Sequence, residues 1–412
     1  MIPLKAKKIC LVEGVEDDPR MRARAQRLAT GIQAERVERV GDAELAQMVA
    51  DLDPTLGQRH GMEEEIEPLV IFNRFRFEDS PEERERRRRD FPALFANPMH
   101  KFSGYGGFDW RESGSASWRA RTGLVCQPAW QLHTIVGCHF RCAYCSLGRF
   151  VNIMLNIEEF VERLDAWLAT VPGQTLYQYD NWTDTVCFEP EYGGAKLLIE
   201  YFAQREGEYL ELYVGKSDHV DYLLDLDHRG HTVCCWSLSG PTQSTLIERK
   251  TAPMHARIAA ARRCQQAGYH VRFRFSPLIP VRDWQAENRE MIEALFSEVH
   301  PDLITFETLR FLNYEALAKY LDLSLLDPEF VALMEQTRGV PQAQGCEIPD
   351  EYRLRVYRFI IDELERVSPQ TPYALCREKR AIWEVLAEDF ARHGQSPDRY
   401  ICNCGPTSAP RA

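Results

Sequence analysis

Between residues 126 and about 311, apolar runs of strand length alternate with helix-length amphipathic stretches. Strands are expected near 131–136, 174–179, 209–214, 231–237, 270–278 and 302–309. Helices are expected between them at 157–169, 192–205, 218–227, 253–267 and 285–298. Helix starts carry the right signals, such as Asn156 before Ile-Glu-Glu and Pro253 before Met-His-Ala-Arg. Strands joined through helices must lie parallel, because a tight turn can only join antiparallel neighbours. The expected fold is therefore α/β: a six-stranded partial (βα)6 TIM-like barrel over 126–311. A small N-terminal α/β unit and connector fills 1–125, with strands at 8–12 and 69–72 and helices at 18–28 and 42–50. A mainly helical C-terminal extension, 312–412, ends in a Cys-x-Cys tail.

The loop after the first expected barrel strand reads Gly137-Cys-His-Phe-Arg-Cys-Ala-Tyr-Cys-Ser-Leu-Gly148. In such barrels the loops at the strand C-termini build the active site. Cys138, Cys142 and Cys145 supply three thiolates at Cys-x3-Cys-x2-Cys spacing. Three thiolates hold three irons of a [4Fe–4S] cube and leave the fourth iron open, whereas electron-transfer cubes usually have four cysteine ligands. An open metal position is the mark of a site that takes substrate or cofactor. Two other readings stay open at this point. A zinc site would need a fourth ligand from His139 or a distant cysteine, and Cys142 with Cys145 could form a redox dithiol.

Thirteen cysteines with no export signal point to a reducing cytoplasm, and no apolar run is long enough to span a bilayer, so no membrane partner is expected. The net charge of −12 disfavours broad nucleic-acid binding, although a local basic groove would be compatible with it. The run Arg84-Glu-Arg-Arg-Arg-Arg89 has acidic neighbours and reads as a solvated helical face.

The cysteine loop behind the first barrel strand resembles the radical S-adenosylmethionine superfamily. Within it the chain resembles the spore photoproduct lyase family. The blocks that carry this are Val12-Glu-Gly-Val-Glu-Asp-Asp-Pro19, the run Leu132 to Leu147, Gly215-Lys-Ser-Asp-His-Val-Asp-Tyr-Leu-Leu-Asp225, Trp236-Ser-Leu-Ser239, and Ile247 to Arg262. The resemblance implies a [4Fe-4S] cluster on Cys138, Cys142 and Cys145, with S-adenosyl-L-methionine chelated to the open iron. One electron, from a donor such as flavodoxin or ferredoxin, would cleave the cofactor to methionine and a 5′-deoxyadenosyl radical. Lys216 falls on the position that contacts the cofactor carboxylate. Ser237 falls on one that hydrogen-bonds the cofactor, and Tyr144 is placed to meet the adenine.

The family's cysteine hydrogen donor follows the second strand. Here Trp182 takes that position, with Cys187 further along. Asn181, Thr183, Asp184 and Glu189 form a polar strand-end group, so Asp184 and Cys187 are the candidate catalytic residues there. The expected substrate is a small polar molecule, with a DNA photoproduct lyase-type reaction as the alternative. Cys402 and Cys404 in the tail are candidates for a soft ion, a further cluster or a thiyl radical shared with Cys376 or Cys346. They raise a third reading, transfer of a 3-amino-3-carboxypropyl group to a thiol-bound metalloid. A non-catalytic iron–sulfur protein is the fourth. Cys234 and Cys235 are adjacent on a strand, so they face opposite sides of the sheet.

Overall fold

The computed structural model describes residues 1–410 except 54–55, 63–66, 311 and 341–347. Cys346 lies outside the described residues. The main sheet has eight strands. In spatial order they are Tyr373–Leu375, Leu303–Thr308, His270–Leu278, Thr232–Ser237, Tyr209–Gly215, Leu176–Tyr179, Ala129–Leu132 and Phe108–Arg111. Seven are mutually parallel and Phe108–Arg111 is antiparallel. All six expected strands are present, flanked by two that were not expected.

Side chains alternate across these strands. Leu210, Leu212, Val214, Phe273, Phe275, Ile304 and Phe306 lie in the main hydrophobic core. The intervening Glu211, Tyr213, Arg272, Arg274, Thr305 and Glu307 give the opposite face a polar lining. Cys234 joins the core, while Cys235 neighbours Arg274 and Glu211 on the polar side.

Three local expectations need correcting. The first expected strand stops at Leu132, and Ile135–Val136 pairs in a different sheet. The cause is Asp180, whose carboxylate accepts the backbone N–H groups of Thr134 (2.9 Å) and Ile135 (3.2 Å) and so turns the chain out of the ladder. The helix expected at 218–227 is only a 3-10 turn, Asp221–Leu223. Asp218, Asp221, Asp225 and Asp227 favour turns over helix interiors. The 157–169 helix is divided into Ile157–Glu162 and Leu164–Ala169.

A second, five-stranded sheet runs in the order Val37–Val40, Lys8–Val12, Leu69–Asn73, Phe150–Met154, Ile135–Val136. The cysteine loop is thus suspended between two strands of this sheet. The N-terminal helices run Pro19–Thr30 and Asp42–Leu52. The arginine-rich segment is the helix Pro81–Asp90, capped by the Ser80 hydroxyl. Arg87 is buried against Asp42 with two contacts of 2.7 Å, and the rest of the run faces outward.

The C-terminal part is helical at Tyr314–Tyr320, Pro328–Glu335, Asp350–Val367, Arg380–Val385 and Ala387–Ala391. The tail then packs across the starts of the parallel strands. Pro406 carbonyl accepts from Thr175 N (2.7 Å) and Leu176 N (3.1 Å), and Asn403 Nδ2 donates to Phe273 carbonyl (2.8 Å). Among the described residues no helix is long and apolar enough to cross a membrane.

Candidate active site

The cysteine loop is held by its backbone from three directions. Gly137 has φ +104°, and a Cβ there would lie 2.0 Å from Phe150 carbonyl oxygen, so only glycine fits. Arg141–Cys142 pairs with Glu248–Arg249 as a short antiparallel ladder, and Ala143 N donates to Ile247 carbonyl (2.9 Å). From the N-terminal side, His60 N and Gly61 N donate to Cys145 and Ala143 carbonyls at 3.0 and 2.8 Å.

Two thiols already accept backbone N–H bonds: Cys138 Sγ from Phe140 N and Cys145 Sγ from Leu147 N, each at 3.4 Å. Burial pushes the Cys142 thiol up to about 12, so it stays protonated at neutral pH unless a metal displaces the proton. Among the described residues no three His, Cys, Asp or Glu side chains converge as ligands of one ion. A cube makes no such demand, because it distributes its thiolates over separate irons. The loop therefore suits a cube better than a mononuclear zinc.

Lys216 stands beside this loop, at the end of strand Tyr209–Gly215. Its Nζ lies 6.0 Å from the Tyr144 ring centroid. Among the described residues its ammonium makes no ion pair. Burial opposes its charge, but Tyr213, Glu248 and Cys142 raise its pKa above the ordinary lysine value. It is a buried cation that senses Glu248 but has no carboxylate in direct contact among the described residues. Ser237 Oγ bonds Tyr213 hydroxyl (2.9 Å), and Tyr213 is one of the groups acting on Lys216. The three cofactor candidates Tyr144, Lys216 and Ser237 are thus brought to one side of the cysteine loop.

Glu248 organises that side and was not singled out from sequence. It accepts from Tyr144 hydroxyl (2.7 Å), Ser239 hydroxyl (2.8 Å) and Gln243 Nε2 (2.9 Å), and pairs with fully buried Arg257 at 2.8 Å. Burial alone would raise its pKa. Arg257 and Lys216 outweigh that and hold it down at about 2.

Across the loop, Gly215 (φ +72°) leaves room for Asp184, whose Oδ2 would lie 2.4 Å from a Cβ. Asp184 accepts from Lys216 N (2.7 Å) and from the Cys187 thiol (3.4 Å). Burial raises Asp184 to about 7. Cys187 is fully buried, and Cys138 is among the charges acting on it. A second group missed from sequence is His133, whose Nδ1 lies 2.7 Å from Asp180 Oδ1. His133 Nε2, Asn181 Oδ1 and Thr183 Oγ1 are buried without hydrogen-bond partners. All three stand at or just beyond the C-terminal ends of the first two parallel strands, where a substrate's polar edge would be read.

Cys402 and Cys404 are not in this group. They lie with the tail on the polar side of the sheet, near Arg274 and Glu211. Glu189 is also committed elsewhere, because its carboxylate accepts Gly193 N and Ala195 N (both 2.8 Å) at the start of helix Gly194–Phe202. Burial raises Glu189 to about 7. Since its folded pKa lies above the unfolded value, its contribution is present below about 4.5 and is lost as pH rises toward 7. Glu189→Gln should flatten the fall of stability across that window by up to about 1.4 kcal/mol per pH unit. Denaturant midpoints measured from pH 5 to 8 check this, and an unchanged slope would refute it.

A family model described as spore photoproduct lyase matches residues 128–321, the stretch that holds the cysteine loop and Lys216. Over that stretch the chain is similar to spore photoproduct lyases. Spore photoproduct lyase from Bacillus subtilis (strain 168) is 29% identical over 184 residues, covering 42% of this chain and 54% of that protein. The enzyme of the same name from Clostridium acetobutylicum is 25% identical over 194 residues, covering 45% and 57%. The chain thus spans about half the length of the curated relatives it matches. A solved spore photoproduct lyase complexed with dinucleoside spore photoproduct has a TM-score of 0.59 at 15% identity, covering 91% of this chain and all of that one. A double mutant with bound AdoMet and the same dinucleoside gives 0.59 at 15%, covering 90% and 98%. These solved structures share the fold.

Proposed function

We propose that this spore photoproduct lyase-like chain is a radical S-adenosylmethionine enzyme of lyase type, acting on a thymine photoproduct lesion in DNA. The observation that carries the cofactor reading is the uncommitted Lys216 ammonium beside three loop thiols and Tyr144. Cys138, Cys142 and Cys145 would hold a [4Fe-4S] cluster. Lys216 would bind the S-adenosyl-L-methionine carboxylate, Ser237 a further polar group, and Tyr144 the adenine. When bound, the pair supplies reductive cleavage to methionine and a hydrogen-abstracting 5′-deoxyadenosyl radical. The protein's own part is to orient the cofactor and keep solvent out. Residues 126–311, curled as a partial barrel, would form the chamber, with 1–125 and 312–412 as added units. Asp184 and Cys187 are an acid and a thiol beyond the second parallel strand, hydrogen-bonded to each other. An electron donor such as flavodoxin or ferredoxin and a cytoplasmic location complete the reading.

The lesion is favoured over a small polar substrate because the relatives named above are photoproduct lyases. The local surface also supports it despite the net charge. An open cavity of about 800 Å³ at the sheet edge is lined by Arg84, Arg88, Phe108, Trp130 and Trp167. Guanidinium groups beside ring faces are what single-stranded nucleic acid uses.

The test is anaerobic turnover with dithionite, S-adenosylmethionine and dinucleoside spore photoproduct. Conversion to the intact dithymidine with methionine formation is expected. Methylthioadenosine as product would replace the reading with aminocarboxypropyl transfer. 5′-Deoxyadenosine with an untouched lesion would return the small-molecule substrate, and a cluster indifferent to the cofactor would leave a non-catalytic iron–sulfur protein. In the same assay Lys216→Ala should raise the KM for S-adenosylmethionine about 10- to 100-fold, the worth of one charged hydrogen bond of about 1.5–3 kcal/mol. An unchanged KM would remove Lys216 from the cofactor site.

A further inference from the structure

Four thiols that the proposed reaction does not use meet at a two-stranded ladder separate from the main sheet. Leu124–Val125 pairs antiparallel with Glu378–Lys379, with Val125 opposite Glu378. Continuing that register sets Cys126 across from Arg377, next to Cys376. Cys376 N is itself fixed to Phe306 carbonyl at 3.0 Å. The tail brings two more thiols to the same place. Gln127 Nε2 donates to Tyr400 carbonyl (2.7 Å) and to Cys402 Sγ (3.7 Å), and Arg111 Nη2 donates to both Gln127 and Cys404 carbonyls at 2.8 Å. Cys404 and Cys126 link the four thiols electrostatically, and Glu307 is a further charge on Cys376. Cys126 feels Cys404, Cys402 feels Cys404 and Cys126, and Cys376 feels Cys404 and Cys126.

The surroundings hold the guanidinium groups of Arg111, Arg274 and Arg377 together with two carboxylates, Glu211, paired with Arg274 at 2.9 Å, and Glu307, paired with Arg310 at 2.7 Å. The leading charges acting on Arg111 are Cys404, Cys126 and Cys402, with no carboxylate among them, and its buried Nε has no partner. Arg274 also acts on Cys404, and Arg377 on Cys126. The chain provides an internal contrast. Cys234 and Cys264 are also neighbouring buried thiols, but the only charges acting on Cys234 are other cysteines, as expected of thiols that merely pack. Placing guanidinium groups around neutral thiols would be costly, whereas around a thiolate-bound metal centre of net negative charge it is complementary.

We propose that Cys126, Cys376, Cys402 and Cys404 ligate a second iron–sulfur cluster at this seam, built from sulfide with ferrous and ferric iron, the four thiol protons being released to solvent. A polynuclear centre fits better than a single ion. A tetrahedral zinc with bonds of about 2.3 Å would bring its sulfurs to within about 4 Å of one another, and among the described residues no such convergence of three ligands exists. Thiolates from four cysteines are the ordinary ligand set of [2Fe–2S] and [4Fe–4S] clusters. From the seam, the polar line Cys404–Arg274–Tyr213 leads toward Ser237, with Arg274 lying 5.1 Å from the Tyr213 ring centroid.

The experiment uses the full chain with Cys138, Cys142 and Cys145 all changed to alanine, reconstituted anaerobically with iron and sulfide, desalted, and assayed for iron, sulfide and zinc. This variant tests the seam whether or not the first cluster is assigned correctly. About two to four irons per chain with matching sulfide are expected to remain, as one further cluster would hold. A folded triple variant with no iron overturns the proposal, and so does one zinc per chain without iron. Should the triple variant not fold, Cys402→Ser with Cys404→Ser in the otherwise natural chain should lower the iron content by that same amount, and an unchanged content overturns the proposal.

Discussion

Cys142→Ala should yield a folded chain that forms neither methionine nor 5′-deoxyadenosine above background under dithionite. Folding survives because the backbone of this residue does the structural work. Arg141 and Cys142 are paired with Arg249 and Glu248, and the next residue, Ala143, is tied to Ile247 and Gly61. Alanine keeps all of these contacts and removes only a sulfur and its few packing partners, a loss of about 1–2 kcal/mol. What would disappear is one of the three anchors proposed for a cube that has no fourth. The neighbouring cation cannot compensate, because Lys216 binds anions and not iron. The check is anaerobic product analysis alongside circular dichroism. Undiminished cleavage by the variant would show that Cys142 is not a ligand and would undo the reading of the loop as a whole.

The parts of the site that could be read in the sequence are local in the chain. The three cysteines fall within eight residues, so their spacing alone carries their chemistry. The six central strands carry enough apolar residues to declare themselves. The missed features arise where distant segments meet. Glu248 and Arg257 look like ordinary charges on a polar stretch until folding buries both against Tyr144 and Lys216. His133 and Asp180 lie 47 positions apart, and the one available signal was that each stands at the end of an expected strand. Ile135 and Val136 look like more of the first strand, yet the Asp180 carboxylate diverts them to another sheet. The strand Tyr373–Leu375 has only three residues, too few for an alternation to be recognised. Cys126 gave no signal at all, because the ladder between Val125 and Glu378 brings it to Cys376, and the Gln127 bonds bring the tail to it.

Glu248→Gln should be the most damaging single change outside the cysteine loop, lowering stability by about 3–5 kcal/mol. The carboxylate is fully buried, and the guanidinium it pairs with is equally buried. Removing the charge leaves Arg257 with Ala252 and Ser237 carbonyls and the Thr251 and Ser239 hydroxyls as partners, all neutral. An uncompensated buried cation costs far more than a lost surface pair, because water cannot reach it. Glutamine preserves the shape, so the loss reports charge and not volume. Arg257→Met together with Glu248→Gln removes both ions and should recover much of the stability. The double variant should nevertheless remain poor in S-adenosylmethionine binding, because Tyr144 and Lys216 both take their setting from this carboxylate. Denaturant unfolding gives the first quantity and equilibrium binding of the cofactor the second. Equal loss of stability in single and double variants would show that the pair matters through packing and not through charge. Normal cofactor affinity in the double variant would separate Glu248 from the site that Lys216 and Tyr144 form.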